Sequence, residues 1–128
     1  MAELGNKELT GRVIEAAIKV HQTLGPGFLE SVYEAALAIE LTRRDIRFER
    51  QKVVKLFYED IQVGEHRLDL FVEGKLVVEL KAVAAIEDVF FAIGRSSMKA
   101  AGAEDGLLLN FAAMPLAIRR IGREWFPS

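Results

Sequence analysis

Cysteine is missing from all 128 residues, and histidine occurs only twice, as His21 and His66. Without thiols, disulfides, thiolate metal sites and cysteine nucleophiles are excluded. Two histidines are too few for a histidine-rich zinc site. A metal in this chain must be held mainly by carboxylate oxygens, which suit a hard ion, Mg²⁺ or Mn²⁺. Long apolar runs are lacking as well. The longest, residues 106–118, is too short to cross a bilayer and is interrupted by Asn110 and Pro115. The opening MAELGNKEL lacks the basic-then-apolar plan of a secretory signal, so a cytoplasmic protein that does not engage a membrane is expected. Neither sign of charge dominates: 17 Lys and Arg stand against 19 Asp and Glu, a net charge of −2. That balance argues against a protein that coats nucleic acid electrostatically, while leaving room for a local basic path. Repeats and low-complexity segments are absent.

What is present is a chain long enough for one domain with its own core, residues 1–128, the ordered part expected at about 8–126. Its organising stretch is residues 67–81, RLDLFVEGKLVVELK. Two apolar-rich runs meet at Glu73-Gly74-Lys75, where Gly supplies the positive φ of a tight turn. Strand alternation puts Leu68, Leu70, Val72, Leu76, Val78 and Leu80 on one apolar face. The other face carries Asp69, Phe71, Val77, Glu79 and Lys81. A two-residue loop would set Asp69 and Glu79 on opposite faces; a three-residue loop, or a bulge near Gly74, pairs them. The longer turn is predicted, and carboxylates opposed in this way repel unless a cation or proton lies between them.

Before the hairpin, apolar spacing predicts a helix over about 9–24, stopped by Gly25-Pro26-Gly27, with residues 1–7 frayed. A second helix is predicted over about 29–44. Its apolar flank is expected at Val32, Ala35, Ala36 and Ile39, with Glu30, Tyr33 and Leu37 adjoining. Residues 46–57 read as β, 58–60 as a turn and 61–64 as the approach to the hairpin. A third helix follows over 87–101, with Phe90 and Phe91 expected exposed and available for a homodimer or a larger partner. Leu107, Leu108 and Leu109 make a buried strand; residues 116–123 add an edge strand, and Trp125 and Phe126 pack back as an anchor. The order implies an α/β sandwich with a mixed central sheet flanked by helices.

Residues 27–33, GFLESVY, preceded by VHQTLGPG at 20–27, resemble the signature of the GxxExxY protein family. Asp69 followed by Glu79-Leu80-Lys81 resembles the metal-binding core of the PD-(D/E)XK nuclease superfamily, to which that family is assigned. GLLLNF at 106–111 matches a strand late in the family. The resemblance covers most of the chain and implies a restriction-endonuclease-like core. Its implied activity is Mg²⁺- or Mn²⁺-dependent hydrolysis of phosphodiester bonds in DNA or another nucleic acid. It departs from the pattern in the third helix, where Ile93 and Ser97 stand at positions that usually hold Gln and Tyr.

In that reading Asp69, Glu79, the Leu80 carbonyl and Glu30 are metal ligands, and Glu30, Asp69, Glu79 and Lys81 form the catalytic set. Lys81 orients the attacking water or stabilises the transition state; Tyr33 and His21 are placed on the substrate side. Each residue has a plainer alternative. Glu79 and Lys81 can be a surface salt bridge worth less than about 1 kcal/mol, Glu30 a helix N-terminal charge, Tyr33 a core aromatic and His21 a C-terminal cap. The basic run Arg43, Arg44, Arg47, Arg50, Lys52 and Lys55 is either a solvated face or a phosphate track. The alternative to an enzyme is a non-catalytic nucleic-acid-binding or protein-interaction module on the same fold.

Overall fold

The computed structural model describes the backbone of residues 2–122 and side chains from Asn6 onward. Three helices and five strands follow in the order α1 (Ala2–Leu24), α2 (Glu30–Arg43), β1 (Phe48–Tyr58), β2 (Ile61–Val72), β3 (Leu76–Lys81), α3 (Asp88–Ala101), β4 (Asp105–Asn110) and β5 (Ala117–Gly122). The strands form one sheet in sequence order. β3 and β4 are parallel and joined through α3; the other neighbours are antiparallel. The expected mixed sheet flanked by helices is therefore present. The expected anchor at Trp125 and Phe126 lies outside the described residues.

Apolar side chains divide between the two faces of the sheet. Val13, Ala17 and Val20 of α1 and Tyr33, Leu37 and Leu41 of α2 pack with Leu70, Val78, Leu80, Leu107 and Leu109. On the opposite face Met98 of α3 meets Val54, Leu68, Phe71, Val77, Leu108 and Ile121. The central strands β3 and β4 are covered on both sides, which explains their continuous apolar reading.

Four expectations need correction. Helix α1 begins at Ala2, ahead of the expected start; Asn6 donates to the Asp105 carboxylate at 2.9 Å, tying the first turns to β4. Helix α2 buries Tyr33, Leu37 and Leu41, spaced four apart, and leaves Val32 and Ile39 38% and 52% exposed. The adjoining flank, larger and aromatic, thus took the sheet and the smaller one was left outside. Phe90 and Phe91 are half-buried against the second cluster, so they are core-side residues and not a free contact surface.

The fourth correction concerns Leu68, which packs with the α3-side cluster while Leu70 packs with the other. Alternation breaks between them. Arg50 pairs with Leu70 and Lys52 with Leu68, and the intervening Gln51 takes φ 53°. A left-handed residue in one strand interrupts the regular alternation locally, while the one-for-one register continues on either side of it. It stands opposite Asp69, and the β1–β2 ribbon beyond it forms an arm whose Val54 and Leu68 lie against the α3 layer.

Candidate metal centre

The hairpin turn sets the centre's register. Val72 pairs with Leu76, Phe71 with Val77 and Leu70 with Val78. Glu73, Gly74 and Lys75 are left as the three-residue loop, with φ 54° at Glu73 and 64° at Gly74. The Lys75 N–H donates to the Val72 carbonyl at 2.9 Å, and Glu73 is pinned by two bonds to the Arg47 backbone. One step further along this register Asp69 falls opposite Glu79. The carboxylate of Asp69 takes a ladder position itself: its Oδ2 accepts the Leu80 N–H at 2.8 Å.

Glu79 is buried, and its Oε1 has no hydrogen-bond partner. Burial above all, then the Asp69 charge and a hydrogen bond to it, raises its pKa from 4.5 to about 8. The Lys81 ammonium and the Asp69 backbone pull the other way and do not prevail. Held neutral by burial, the Glu79 carboxyl can donate a hydrogen bond to Asp69, which relieves the repulsion between the two groups. Lys81, next but one on the strand, sets its Nζ 4.6 Å from the Phe90 ring centroid. That aromatic face holds the ammonium at the mouth of the centre by a cation–π contact.

Glu30 opens α2, and its Oε2 accepts the Ala82 N–H at 3.3 Å, just past Lys81. Among the described residues no group of three or more Asp, Glu or His side chains is close enough to hold a metal on its own. Asp69 and Glu79 are brought together; Glu30 stands at the end of β3. Tyr33 is fully buried, stacked at 4.5 Å on Phe111. Its hydroxyl donates to the Gly25 carbonyl at 2.7 Å and accepts from the Phe28 N–H at 3.2 Å, clamping the Gly-Pro-Gly turn. His21, also buried, lies against the same Phe111, with Nε2 unpartnered. Ile93 is partly exposed, and the Ser97 hydroxyl donates to its carbonyl at 3.0 Å.

Three residues at the centre were not singled out from sequence. Gln51 Nε2 donates to Glu34 Oε1 at 2.7 Å and reaches Asp69 Oδ1 at 3.5 Å, while Arg50 pairs with Glu34 at 3.0 Å. Glu34 is thus a buried anchor behind Asp69. Asn110 is buried and brackets the connector after Lys81: Oδ1 accepts from Val83 and Ala112, and Nδ2 donates to the Val83 carbonyl at 2.9 Å. Gln51 lay inside a basic run, and Glu34 beside the more conspicuous Tyr33. Only Asn110 carried a signal, as a polar residue closing an apolar strand. Four residues of the basic run are engaged in ion pairs, Arg43 and Arg44 with Glu40, Arg50 with Glu34, and Lys52 with Glu49.

A sheet in this order, with an acid on β2 and an acid and a lysine two apart on β3, is the arrangement of a nuclease-type core. The family model described as the PD-(D/E)XK nuclease superfamily matches residues 7–121, nine-tenths of the chain. The chain belongs to the PD-(D/E)XK nuclease superfamily, whose members generally use divalent metals. Neither a curated protein nor a solved structure matches it. No helix among the described residues is long and apolar enough to cross a membrane.

Proposed function

We propose that this chain is a Mg²⁺- or Mn²⁺-dependent nuclease that hydrolyses phosphodiester bonds, with DNA as the expected substrate. The observation that carries the reading is the buried Asp69–Glu79 pair with its orphaned Glu79 Oε1 beside Lys81. Two acids and a lysine converging without a compensating ion pair make a costly arrangement in a sheet centre, and a hard divalent cation matches its oxygen donors. When bound there, such an ion would activate a water and offset the charge that builds on the phosphate.

The protein's own groups have separable tasks. Asp69 is aimed by the Leu80 N–H and by Gln51. In an extended strand the N–H and C=O of one residue point to the same side. The Leu80 carbonyl therefore faces the same gap as Asp69, as a ligand there requires. Glu79 must release its proton before it can ligate. Lys81, held over Phe90, meets a phosphate oxygen or positions the water. Glu30, exposed beyond the strand end, acts through water. Tyr33 and His21 support the centre from behind through Phe111 and the Gly-Pro-Gly turn. A homodimer or a larger partner would extend the surface available to a duplex.

The second reading is a binding module without catalysis, favoured by an apolar, partly exposed Ile93 on the helix that walls the centre. Cleavage of single-stranded, duplex and branched DNA and of RNA with Mg²⁺ or Mn²⁺ distinguishes them. The wild type should cut at least one substrate, and Asp69→Asn, Glu79→Gln and Lys81→Met should each lose on the order of a hundredfold or more. Activity that survives both Asp69→Asn and Lys81→Met would belong to another site or a contaminant and sink the nuclease reading.

A further inference from the structure

The far end of the β1–β2 arm is apolar and bare. Phe57, Tyr58, Ile61 and Val63 are 58%, 67%, 69% and 65% exposed. They share one tip: Tyr58 pairs with Ile61, Phe57 with Gln62, and Val63 falls at the register shift between the strands. Together they present on the order of 400 Å² of apolar surface, a patch of the size that marks interaction sites. β1 is also the edge of the sheet, with β2 its one neighbour among the described residues. Edge strands are commonly protected by charge, and the inner half of β1 has it in Glu49, Arg50 and Lys52. The outer end, Leu56-Phe57-Tyr58, has none.

We propose that this tip docks on the same tip of a second copy of the chain, the two arms lying antiparallel about a two-fold axis at Phe57. Charge selects the occupant. Lys55 lies two residues before Phe57 and Glu59 two after; both are exposed, and neither forms an ion pair among the described residues. Glu65 faces Lys55 across the ladder without an ion pair between them. An antiparallel two-fold centred on Phe57 sets Lys55 of each copy against Glu59 of the other, twice, and Leu56 against Tyr58. An unrelated partner would have to supply an acid and a cation at the matching spacing; a second copy has both already. The net charge of −2 leaves little repulsion between copies. Two tips bury on the order of 1,000 Å² in total, the low end for specific association, so the dimer is weak and concentration-dependent. Neither metal nor substrate takes part in this contact, so it stands or falls apart from the nuclease reading.

The test is sedimentation velocity of the full chain in EDTA, without nucleic acid, at loadings from about 5 to about 500 µM. The sedimentation coefficient should climb from that of a monomer to that of a dimer across the range. Phe57→Ser and Ile61→Ser should each weaken the dimer about tenfold or more, with melting temperatures measured alongside to show that the arm still folds. Lys55→Glu and Glu59→Lys should each weaken it about tenfold, because each sets like charges face to face, and the double variant Lys55→Glu/Glu59→Lys should recover most of the loss. Ile39→Ser, at a 52% exposed apolar position on α2, is the control and should leave association unchanged. A chain still monomeric at the highest loading, a dimer indifferent to Phe57→Ser, an equal loss with Ile39→Ser, or a double variant no better than the single ones would each overturn the proposal.

Discussion

Burial beside a second carboxylate favours the neutral form of a carboxyl, and Glu79 has been placed in that position without a hydrogen bond for Oε1. The consequence for stability has a definite sign. With the folded pKa raised from 4.5 to about 8, the folded protein holds a proton that the unfolded chain has released across that interval. The group's favourable contribution is complete below 4.5 and is lost as pH rises through 8. In the absence of divalent metal, the melting temperature of the wild type relative to Glu79→Gln should therefore decline from pH 5 to pH 8.5. A flat difference would mean that Glu79 ionises normally in the fold. Gln51 offers a second residue-scale check. Gln51→Ala leaves the Asp69–Glu79 backbone register intact but removes the bond that reaches Asp69 Oδ1. Cleavage should fall by about tenfold, roughly one hydrogen bond's worth of positioning, with a change in melting temperature of only a few degrees.

Among the elements, the connector between β3 and α3 carries the clearest dependence. Three bonds from the Asn110 amide fasten residues 83 and 112, and the Phe111 N–H donates to the Lys81 carbonyl at 2.8 Å. Asn110→Ala should cost about 1–3 kcal/mol in urea denaturation and lower cleavage further than that loss accounts for, because Lys81 and Glu30 both adjoin the connector. Leu108→Ala, a truncation at a fully buried position of β4, should cost about 2–5 kcal/mol with no special effect on cleavage per folded molecule. The contrast between the two separates positioning of the centre from general stability. The hairpin turn was legible because its length alone decides whether Asp69 and Glu79 meet. The sidedness of α2 was not: two apolar flanks lie side by side, and the contacts that accompany the inward one, such as the Tyr33–Phe111 stack, exist only in the fold. Leu68 escaped for a similar reason, since a left-handed Gln51 in the partner strand leaves no mark in the alternation of β2.

For the whole molecule, layer order, sheet type and most element boundaries follow from periodicity and turn residues, which act locally. The second support behind the acids does not, because Glu34, Gln51 and Asp69 come from α2, β1 and β2 and are joined only by the fold. The proposed divalent-cation site consists of Asp69 and Glu79, which that fold brings together. Ligation requires the proton to leave Glu79, so metal should stabilise the protein more as pH rises. The direct measurement is the melting temperature of the wild type and Glu79→Gln with and without Mn²⁺ at pH 6 and pH 8. The wild type should be raised by several degrees at pH 8, less at pH 6, and Glu79→Gln at neither. An equal rise in both proteins, or no rise in the wild type at pH 8, would contradict the assignment of the metal to this pair.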